Sequence, residues 1–290
     1  MNRRQKMLQG IELNSMIGIE VGPLDKPLVE KSNAMVWYVD HCDTEELRRR
    51  WSADTRVDIA RLHVDAVWGD HTLAECIAAA AYARGQNWSG ANYLVASHVI
   101  EHVPDLIAWL QEVEATLVSG GLVRLAIPDK RYTFDYLRAT TTLADALVEY
   151  LRKRRTPSAS RILDFTLNAA DIDCAEAWRG RIDTPSLRRT YTDESALAIA
   201  RDAEENGAYH DVHCWSFTPD SFALLMTRLC DLALISLECE WIVPTLRNDL
   251  EFFVGMRRNA NPHECRDSWE HAHRSVLLAE SLLPESGRRS

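Results

Sequence analysis

Several side chains that could bind or activate a small molecule lie directly after predicted strands. Gly22, Asp40, Asp70, His98 and Asp129 each stand at or just beyond the end of a run of strand-forming residues. In an open α/β sheet, ligands bind beyond the carboxyl ends of the strands, where the order of the strands reverses. A backbone turn at a glycine, followed by an acid after the next strand that can accept hydrogen bonds from ribose hydroxyls, describes an adenosine site. The spacing therefore predicts a pocket for an adenosine-containing ligand.

These positions require a sheet of parallel strands, and the sequence predicts one. Residues 17–29, IGIEVGPLDKPLV, alternate apolar residues and then turn at Gly22-Pro23, which predicts a buried strand that ends in a tight turn. Strands then alternate with helices as far as residue 129, which is typical of a doubly wound α/β fold. The predicted strands are 17–21, 35–41, 64–70, 92–97 and 122–129, and the predicted helices are a short one from Thr44, Leu73–Arg84 ending at Gly85, and Leu106–Val118, with Pro104 at its start and Gly120-Gly121 at its end.

The alternation stops after residue 129 and resumes near residue 218. Residues 130–215 are predicted to form a mainly helical insertion that caps the substrate pocket. We predict one α/β domain over residues 1–290, with a mostly parallel, seven-stranded, Rossmann-like sheet that has an antiparallel edge strand. The remaining predicted parts are an N-terminal helix or arm over 1–15, insertion helices at 143–154 and 193–206, a core helix at 218–233, strands at 235–243 and 249–258, and a C-terminal tail over 259–290 that contains one helix.

Charge and cysteine usage narrow the class of protein. The 290 residues include 33 basic and 43 acidic side chains, a net charge of −10, which argues against a large nucleic-acid interface. The seven cysteines are scattered and form no C-x-x-C pair, so we expect reduced thiols and a cytoplasmic protein. We also expect no signal peptide and no membrane span. A homodimer is left open.

A family resemblance joins these motifs. The segments IGIEVGPLDKPLV, VWYVDH, VWGD, ASHVIEHVPD with a later SGG, and LAIPD together resemble class I S-adenosylmethionine-dependent methyltransferases, especially the group with EHVPD after the fourth strand. The resemblance covers about residues 16–135 and 213–258. It implies S-adenosyl-L-methionine as the cofactor and methyl transfer as the activity. The first loop differs from the family pattern, because Gly-Pro-Leu-Asp stands where these enzymes commonly have a second or third glycine.

The resemblance also implies roles for individual residues around the cofactor. Glu20 and Gly22 would contact its methionine end, Asp40 its ribose and Asp70 the edge of its adenine. The outer wall would come from the Ser97-His98 pair. The complete predicted cofactor-binding set is Glu20, Gly22, Pro23, Asp40, His41, Asp70, Ser97 and His98.

The acceptor side is predicted less directly. IPDKRYTFDYL and DVHCWSFTPDSF resemble bacterial enzymes associated with polysaccharide biosynthesis, which implies a sugar or glycan-precursor hydroxyl as the acceptor, with other small molecules and lipid-linked acceptors left open. Because a hydroxyl must lose its proton during methyl transfer, a base is needed. The candidate bases are His213, Asp129 and His98; the candidate substrate-binding residues are Lys130, Arg131, Tyr132 and Trp215. For Arg152–Arg155 we expect a solvated helix face.

Three other functions fit part of the pattern. His98-Val-Ile-Glu101-His102 matches H-x-x-E-H, the zinc-binding motif of some metallopeptidases, but a strand leads directly into it and the next helix starts after it. A nicotinamide-dependent oxidoreductase shares the fold, yet no G-x-G-x-x-G follows the first strand. A non-catalytic adenosyl-binding protein would share both fold and site. No cluster of metal ligands is obvious in the sequence, so we predict no metal.

Overall fold

A single seven-stranded sheet organises the computed structural model, which describes residues 1–281. Its strand order is β3-β2-β1-β4-β5-β7-β6. Strands β1 to β5 run parallel, whereas β7 is antiparallel to both of its neighbours. This confirms the predicted doubly wound, mostly parallel α/β fold. The strands are β1 Ile17–Val21, β2 Met35–Asp40, β3 Ala66–Val67, β4 Ala91–Ser97, β5 Leu117–Pro128, β6 Leu237–Val243 and β7 Glu251–Arg258.

Helices and loops bury both faces of the sheet. One face packs against α3, α4 and α9 in the larger hydrophobic core, and the other packs against the N-terminal segment and the loop between β1 and β2. At the β6 edge, α10 packs against α9. The helices are α1 Arg3–Met7, α2 Thr44–Trp51, α3 Leu73–Ala83, α4 Leu106–Thr116, α5 Leu143–Arg152, α6 Ala159–Asn168, α7 Cys174–Trp178, α8 Asp193–Asn206, α9 Pro219–Asp231 and α10 Pro262–Ser281.

Two glycines that were expected to end a helix lie inside a strand. Helix α4 ends at Thr116, and β5 starts at the next residue and includes Gly120-Gly121. The pairing with β4 shifts its register here, because Ala91 pairs with Leu117 while Tyr93 pairs with Leu122. Gly120 has a φ of +74°. The glycine pair therefore forms a bulge in the strand, which is the other common use of glycine next to a regular element.

The helical insertion leaves and rejoins the sheet at one point. Asp129, the first residue after β5, forms a parallel bridge with Phe217, just before α9. Between these two residues lie helices α5 to α8. A role for this insertion as a substrate cap stays a prediction.

The C-terminal tail contains the predicted helix, α10, which reaches Ser281. The rest of the predicted tail lies outside the described residues. Among the helices of residues 1–281, none combines the length and the apolar character that crossing a bilayer requires.

Candidate functional site

A cavity of about 740 Å³ opens at the carboxyl ends of the central strands. Its lining includes Gly22 after β1, Asp40 at the end of β2 and Ser97 at the end of β4. Strand β1 lies between β2 and β4, so the strand order reverses at this place. Ligands bind at such reversal points in open α/β sheets, and the volume is in the range of small-molecule sites. Six of the predicted site residues line this cavity: Gly22, Asp40, His41, Asp70, Ser97 and His98.

The turn after β1 brings backbone close to the cavity. Gly22 has a φ of +65°, and a Cβ atom added there would lie 3.1 Å from Cγ2 of Val99. Two residues later, Leu24 also has a left-handed φ, of +48°, and lines the cavity. A glycine is needed at position 22 because any side chain would be strained in this conformation and would crowd Val99.

Glu20 holds the loop that follows this turn and does not line the cavity. Its carboxylate accepts hydrogen bonds from the backbone N–H groups of Leu28, at 2.7 Å, and Val29, at 2.9 Å. Burial raises the pKa of Glu20 to about 7, against the lowering effect of these two bonds. Glu20 therefore holds the loop, and its predicted contact with the cofactor is not supported by its position. Pro23 also lies off the cavity wall.

Asp40 lines the cavity and uses only one of its carboxylate oxygens in hydrogen bonds. Its Oδ1 accepts from the backbone N–H of His41 at 2.8 Å and from His41 Nδ1 at 2.7 Å. Its Oδ2 has no hydrogen-bond partner among residues 1–281. Arg50 Nη1 donates to His41 Nε2 at 2.6 Å, which leaves the imidazole proton on Nδ1, facing Asp40. Tyr209 from the insertion stacks on the His41 ring with centroids 5.9 Å apart.

On the side of the cavity beyond the end of β2, side-chain hydrogen bonds connect the core of the protein to the insertion. Asp70 lines the cavity, together with Trp51 and Trp68. Glu112 on α4 accepts from the Trp68 indole N–H at 2.9 Å and, through its other oxygen, from Arg155 Nη1 at 2.9 Å.

Arg155 also reaches the loop after β3. Its Nη2 donates to the carbonyl oxygen of His71 at 2.7 Å, and Arg154 lines the same cavity. The expectation of a solvated helix face over Arg152–Arg155 needs a correction, because α5 ends at Arg152 and the last two arginines lie beyond the helix and line the cavity.

His98 lies at the end of β4 with its ring between two carboxylates. Its Nε2 is 2.8 Å from Glu251 Oε2, and its Nδ1 is 3.5 Å from Glu101 Oε1. Burial acts to raise the pKa of Glu251, but hydrogen bonds from His98 and Arg3 outweigh it and lower that pKa to about 2. The carboxylate of Glu251 therefore accepts a hydrogen bond from the Nε2–H group, which leaves the lone pair of His98 on Nδ1. His98 has a φ of +53°, an uncommon conformation that is found most often at functional sites.

A second group of histidines lies behind His98. His102 lines the cavity and pairs through Nδ1 with Asp211 Oδ1 at 2.8 Å, while His213 is buried and pairs through Nδ1 with Asp135 Oδ2 at 2.6 Å. The centroids of the two rings are 4.6 Å apart. Burial lowers the pKa of His102, yet Asp211 and Glu101 more than compensate, so the net shift is upward.

His213, a predicted base, therefore lies behind the wall of the cavity rather than on it. The sequence pointed to His102 and Glu101 only through the H-x-x-E-H pattern, and it gave no signal for Asp211 or Tyr209. The H-x-x-E-H pattern was the one signal that could have drawn attention to Glu101.

Asp129, the other favoured base, is fully buried and absent from the cavity lining. Its two oxygens accept from Arg131, and Oδ2 also accepts from the Thr245 hydroxyl at 2.7 Å. Arg131 donates in addition to Glu280 at 2.8 Å. These groups satisfy one another in a buried network, so the predicted roles of Asp129 as a base and of Arg131 as a substrate ligand are not supported by their positions.

The other predicted substrate ligands also have protein partners. The ring of Tyr132 stacks on Trp178 with centroids 4.0 Å apart. Trp215 is fully buried, and its indole N–H donates to the carbonyl oxygen of Val103 at 2.6 Å. Lys130 Nζ donates to a backbone carbonyl six residues further along the chain. None of the three lines the cavity, so a contact with the acceptor is not supported by their positions.

Comparison with known proteins gives matches only among solved structures. No protein-family model matches the chain. No curated protein matches it either. A protein described as a Zn-dependent alcohol dehydrogenase from Rhodobacter sphaeroides has 12% identity over 88% of each chain, with a TM-score of 0.44. An S-adenosylmethionine-dependent methyltransferase from Mesorhizobium loti has 13% identity over 85% of this chain and 93% of that one, with a TM-score of 0.41. The CcbJ methyltransferase from Streptomyces caelestis has 11% identity over 86% and 85%, with a TM-score of 0.42. These values are too low to carry a functional argument.

Proposed function

We propose that this protein is an S-adenosylmethionine-dependent methyltransferase that acts on a polar acceptor, a sugar or glycan-precursor hydroxyl. The observation that carries the proposal is the carboxylate of Asp40. It stands at the carboxyl end of β2, beside the reversal of strand order. Asp40 lines the cavity there, and its Oδ2 has no hydrogen-bond partner among the described residues. A carboxylate with one unused oxygen is suited to accept hydrogen bonds from the hydroxyls of a ribose.

With the ribose bound to Asp40, the positions of the methionine and adenine parts of the cofactor would also be defined. The backbone at Gly22 and the side chain of Ser97 would face the methionine end, and the adenine would lie towards Asp70 and the indoles of Trp51 and Trp68. Close approach at Gly22 fits this assignment, since the space where a Cβ atom would stand is bounded by Val99. When bound, S-adenosylmethionine supplies a methyl group on a positively charged sulfur.

His98 is the residue that we assign to proton removal from the acceptor hydroxyl. Nε2 donates to the ionised Glu251, so Nδ1 carries the lone pair that can accept a proton. As the proton moves to Nδ1, the ring becomes positive beside Glu251, whose carboxylate stabilises that charge. Neither His213 nor Asp129 lines the cavity, and His98 does, so His98 replaces them as the proposed base.

A sugar acceptor rests on the sequence resemblance and on the polarity of the insertion side of the cavity. Arg154, Tyr209 and Asp211 line that side and offer hydrogen-bond donors and acceptors for a polyhydroxyl compound. All seven cysteines are free thiols, in keeping with the further proposal that the protein works in the reducing cytoplasm.

Calorimetric titration with S-adenosylmethionine and S-adenosylhomocysteine tests the proposal. We expect both to bind the wild-type protein and Asp40→Asn to weaken both by roughly 10- to 150-fold, the value of a charge-assisted hydrogen bond. Asparagine keeps the Oδ1 acceptor for His41 and replaces only the unused oxygen. The control is Glu45→Gln on the exposed surface of α2. Absence of binding by the folded wild-type protein contradicts the function, and equal affinity of Asp40→Asn contradicts the placement of the ribose.

A further inference from the structure

One buried carboxylate in this structure has no hydrogen-bond donor. Glu101 is 0% exposed, and neither of its oxygens has a partner within hydrogen-bond distance among the described residues. Placing an ionised carboxylate in a protein interior without hydrogen bonds costs several kcal/mol, so such groups are normally paired or bound to a metal. The residue therefore calls for a partner that residues 1–281 do not supply as a hydrogen bond.

Imidazoles surround Glu101, and the nearest of their nitrogens is Nδ1 of His98, 3.5 Å from Oε1. His102 Nε2 lies 3.9 Å from Glu101 Oε1. One nitrogen or oxygen from each of Glu101, His102 and His213 can be chosen so that all three atoms lie within 4.8 Å of one another. In both histidines Nδ1 is bound to a carboxylate, Asp211 or Asp135, so Nε2 is the nitrogen that remains for a ligand.

We propose that Glu101, His102 and His213 bind one divalent transition-metal ion, of which Zn²⁺ is the representative. Two imidazoles and one carboxylate suit zinc and its neighbours in the first transition series, whereas Ca²⁺ and Mg²⁺ prefer sites made of oxygen atoms. Donor atoms around a tetrahedral zinc are roughly 3.3 Å apart, given bond lengths near 2.1 Å. The three donor atoms lie within 4.8 Å of one another, so binding an ion would require them to move closer by at most about 1.5 Å.

The two aspartates complete the pattern of a metal site. Metal-binding histidines almost always donate their other ring N–H to a carboxylate or carbonyl, which fixes the tautomer and makes the ligand nitrogen more basic. Asp211 does this for His102 and Asp135 does it for His213. Asp135 is in turn held by Arg138, at 2.7 Å. Two imidazoles, each held through Nδ1 by a carboxylate, therefore lie beside one buried carboxylate that accepts no hydrogen bond from the described residues.

This site differs from the zinc motif that the sequence suggested. In an H-x-x-E-H motif the ligands would be His98 and His102 on one helix, but residues 98–105 form turns and no helix. His98 instead donates to Glu251 through Nε2. The second histidine comes from residue 213, at the end of the insertion, and Glu101 acts as a ligand rather than as a base. The metallopeptidase interpretation loses its geometric basis.

The ion would lie at the wall of the cavity, since His102 is part of the lining while Glu101 and His213 lie behind it. Three protein ligands leave at least one coordination position open. The inference does not rest on the proposed methyl transfer, because it concerns only the affinity of the protein for a metal.

Metal binding is measured on tag-free, full-length protein that has been dialysed against a chelator and then freed of it. We expect Zn²⁺ to bind with a stoichiometry of one by calorimetry, and Co²⁺ to give the visible absorption of a four- or five-coordinate site that one equivalent of Zn²⁺ removes. Glu101→Gln and His213→Gln should abolish this absorption. A wild-type protein that binds neither ion overturns the proposal and leaves a proton as the partner of Glu101.

Variants at the edge of the cluster keep the test decisive if the buried substitutions impair folding. Asp211 is largely exposed, and Asp211→Asn removes only the carboxylate that orients His102. We expect its Zn²⁺ affinity to fall roughly 10- to 100-fold with unchanged thermal stability of the metal-free protein. The control is His210→Gln, which breaks a similar pair with Asp202 outside the cluster and should leave the affinity unchanged. Wild-type affinity in Asp211→Asn, or Co²⁺ absorption that survives Glu101→Gln, overturns the proposal.

Discussion

The two sides of the cavity are built from different kinds of contact. On the side of β2, the hydrogen bonds of Asp40 are made with His41, the next residue in the chain. On the side of β4, His98 pairs with a residue 153 positions away and His102 with one 109 positions away. The β2 side is therefore a local structure that a strand and its following turn create, whereas the β4 side exists only when β7 and the insertion are in place.

The cost of the backbone conformation also differs between the two sides of the cavity. Both sides contain a left-handed residue after a strand, with a φ of +65° at Gly22 and +53° at His98. Glycine adopts this conformation without strain, while a histidine is held there at a cost of about 1 kcal/mol or more. The backbone N–H of His98 donates to the Ala126 carbonyl and its side chain is bound by Glu251, so contacts from β5 and β7 maintain the strained residue. The β4 side should consequently be the more sensitive side to changes made far away.

The largest effect is expected where the insertion rejoins the β4 side. Trp215 is fully buried, and its indole N–H bonds to Val103. Trp215→Ala should lower the free energy of unfolding by about 3–5 kcal/mol, because it leaves a large cavity in the core. Urea unfolding measures this. Trp215→Phe, which keeps most of the volume, should lose about 1–2 kcal/mol through the orphaned carbonyl. If neither variant changes the free energy of unfolding, the indole is not needed for stability, and the predicted role of Trp215 in binding the acceptor would again be favoured.

The sequence predicted the β2 side well because its chemistry lies next to its secondary structure. An apolar strand followed by a glycine or an acid places that residue at the carboxyl edge of the sheet, so Gly22, Asp40 and Asp70 were found without any knowledge of tertiary contacts. The same reasoning predicted the seven strands, since alternation and turn residues are local properties. It failed at Gly120-Gly121, where the local signal for a helix end and for a strand bulge is the same.

The β4 side could not be predicted in the same way. Asp129 and Lys130 follow a strand, as Asp40 does, yet β7 and the insertion cover that strand end, and Thr245 and Arg131 occupy the carboxylate. Nothing in the sequence near residue 129 records this burial. Glu101 shows the reverse case, because its proposed role as a metal ligand depends on the imidazole of His213, which the insertion supplies.

An acidic pH series tests the long-range pairing directly. The pKa of Glu251 is about 2 in the folded protein, below its ordinary value of 4.5, because His98 and Arg3 outweigh its burial. Between these two values the unfolded state binds more protons than the folded state, so the contribution of Glu251 is complete above about pH 4.5 and disappears as the pH falls to about 2. It is on the order of 3 kcal/mol.

Urea unfolding of wild type and Glu251→Gln between pH 2.5 and 6 measures this contribution. The wild type should be more stable at pH 6, and the difference between the two proteins should shrink as the pH falls. Glu45→Gln, an exposed substitution on the β2 side, should give a small difference at every pH. A difference for Glu251→Gln that does not change with pH would mean that the carboxylate is not held by charged partners, and the contrast between the two sides would be weaker than proposed.

The smallest expected effect tests whether the two sides are coupled. Arg155 is the contact through which the insertion reaches the loop after β3, by way of Glu112 and the carbonyl of His71. Arg155→Ala should weaken S-adenosylmethionine binding by roughly 3- to 10-fold, because an exposed charge-assisted contact of this kind is worth about 1 kcal/mol. Arg152→Ala, three residues earlier and exposed, should have no effect in the same calorimetric titration. Equal affinities of the two variants would mean that the β2 side binds the cofactor independently of the insertion, as a purely local structure would.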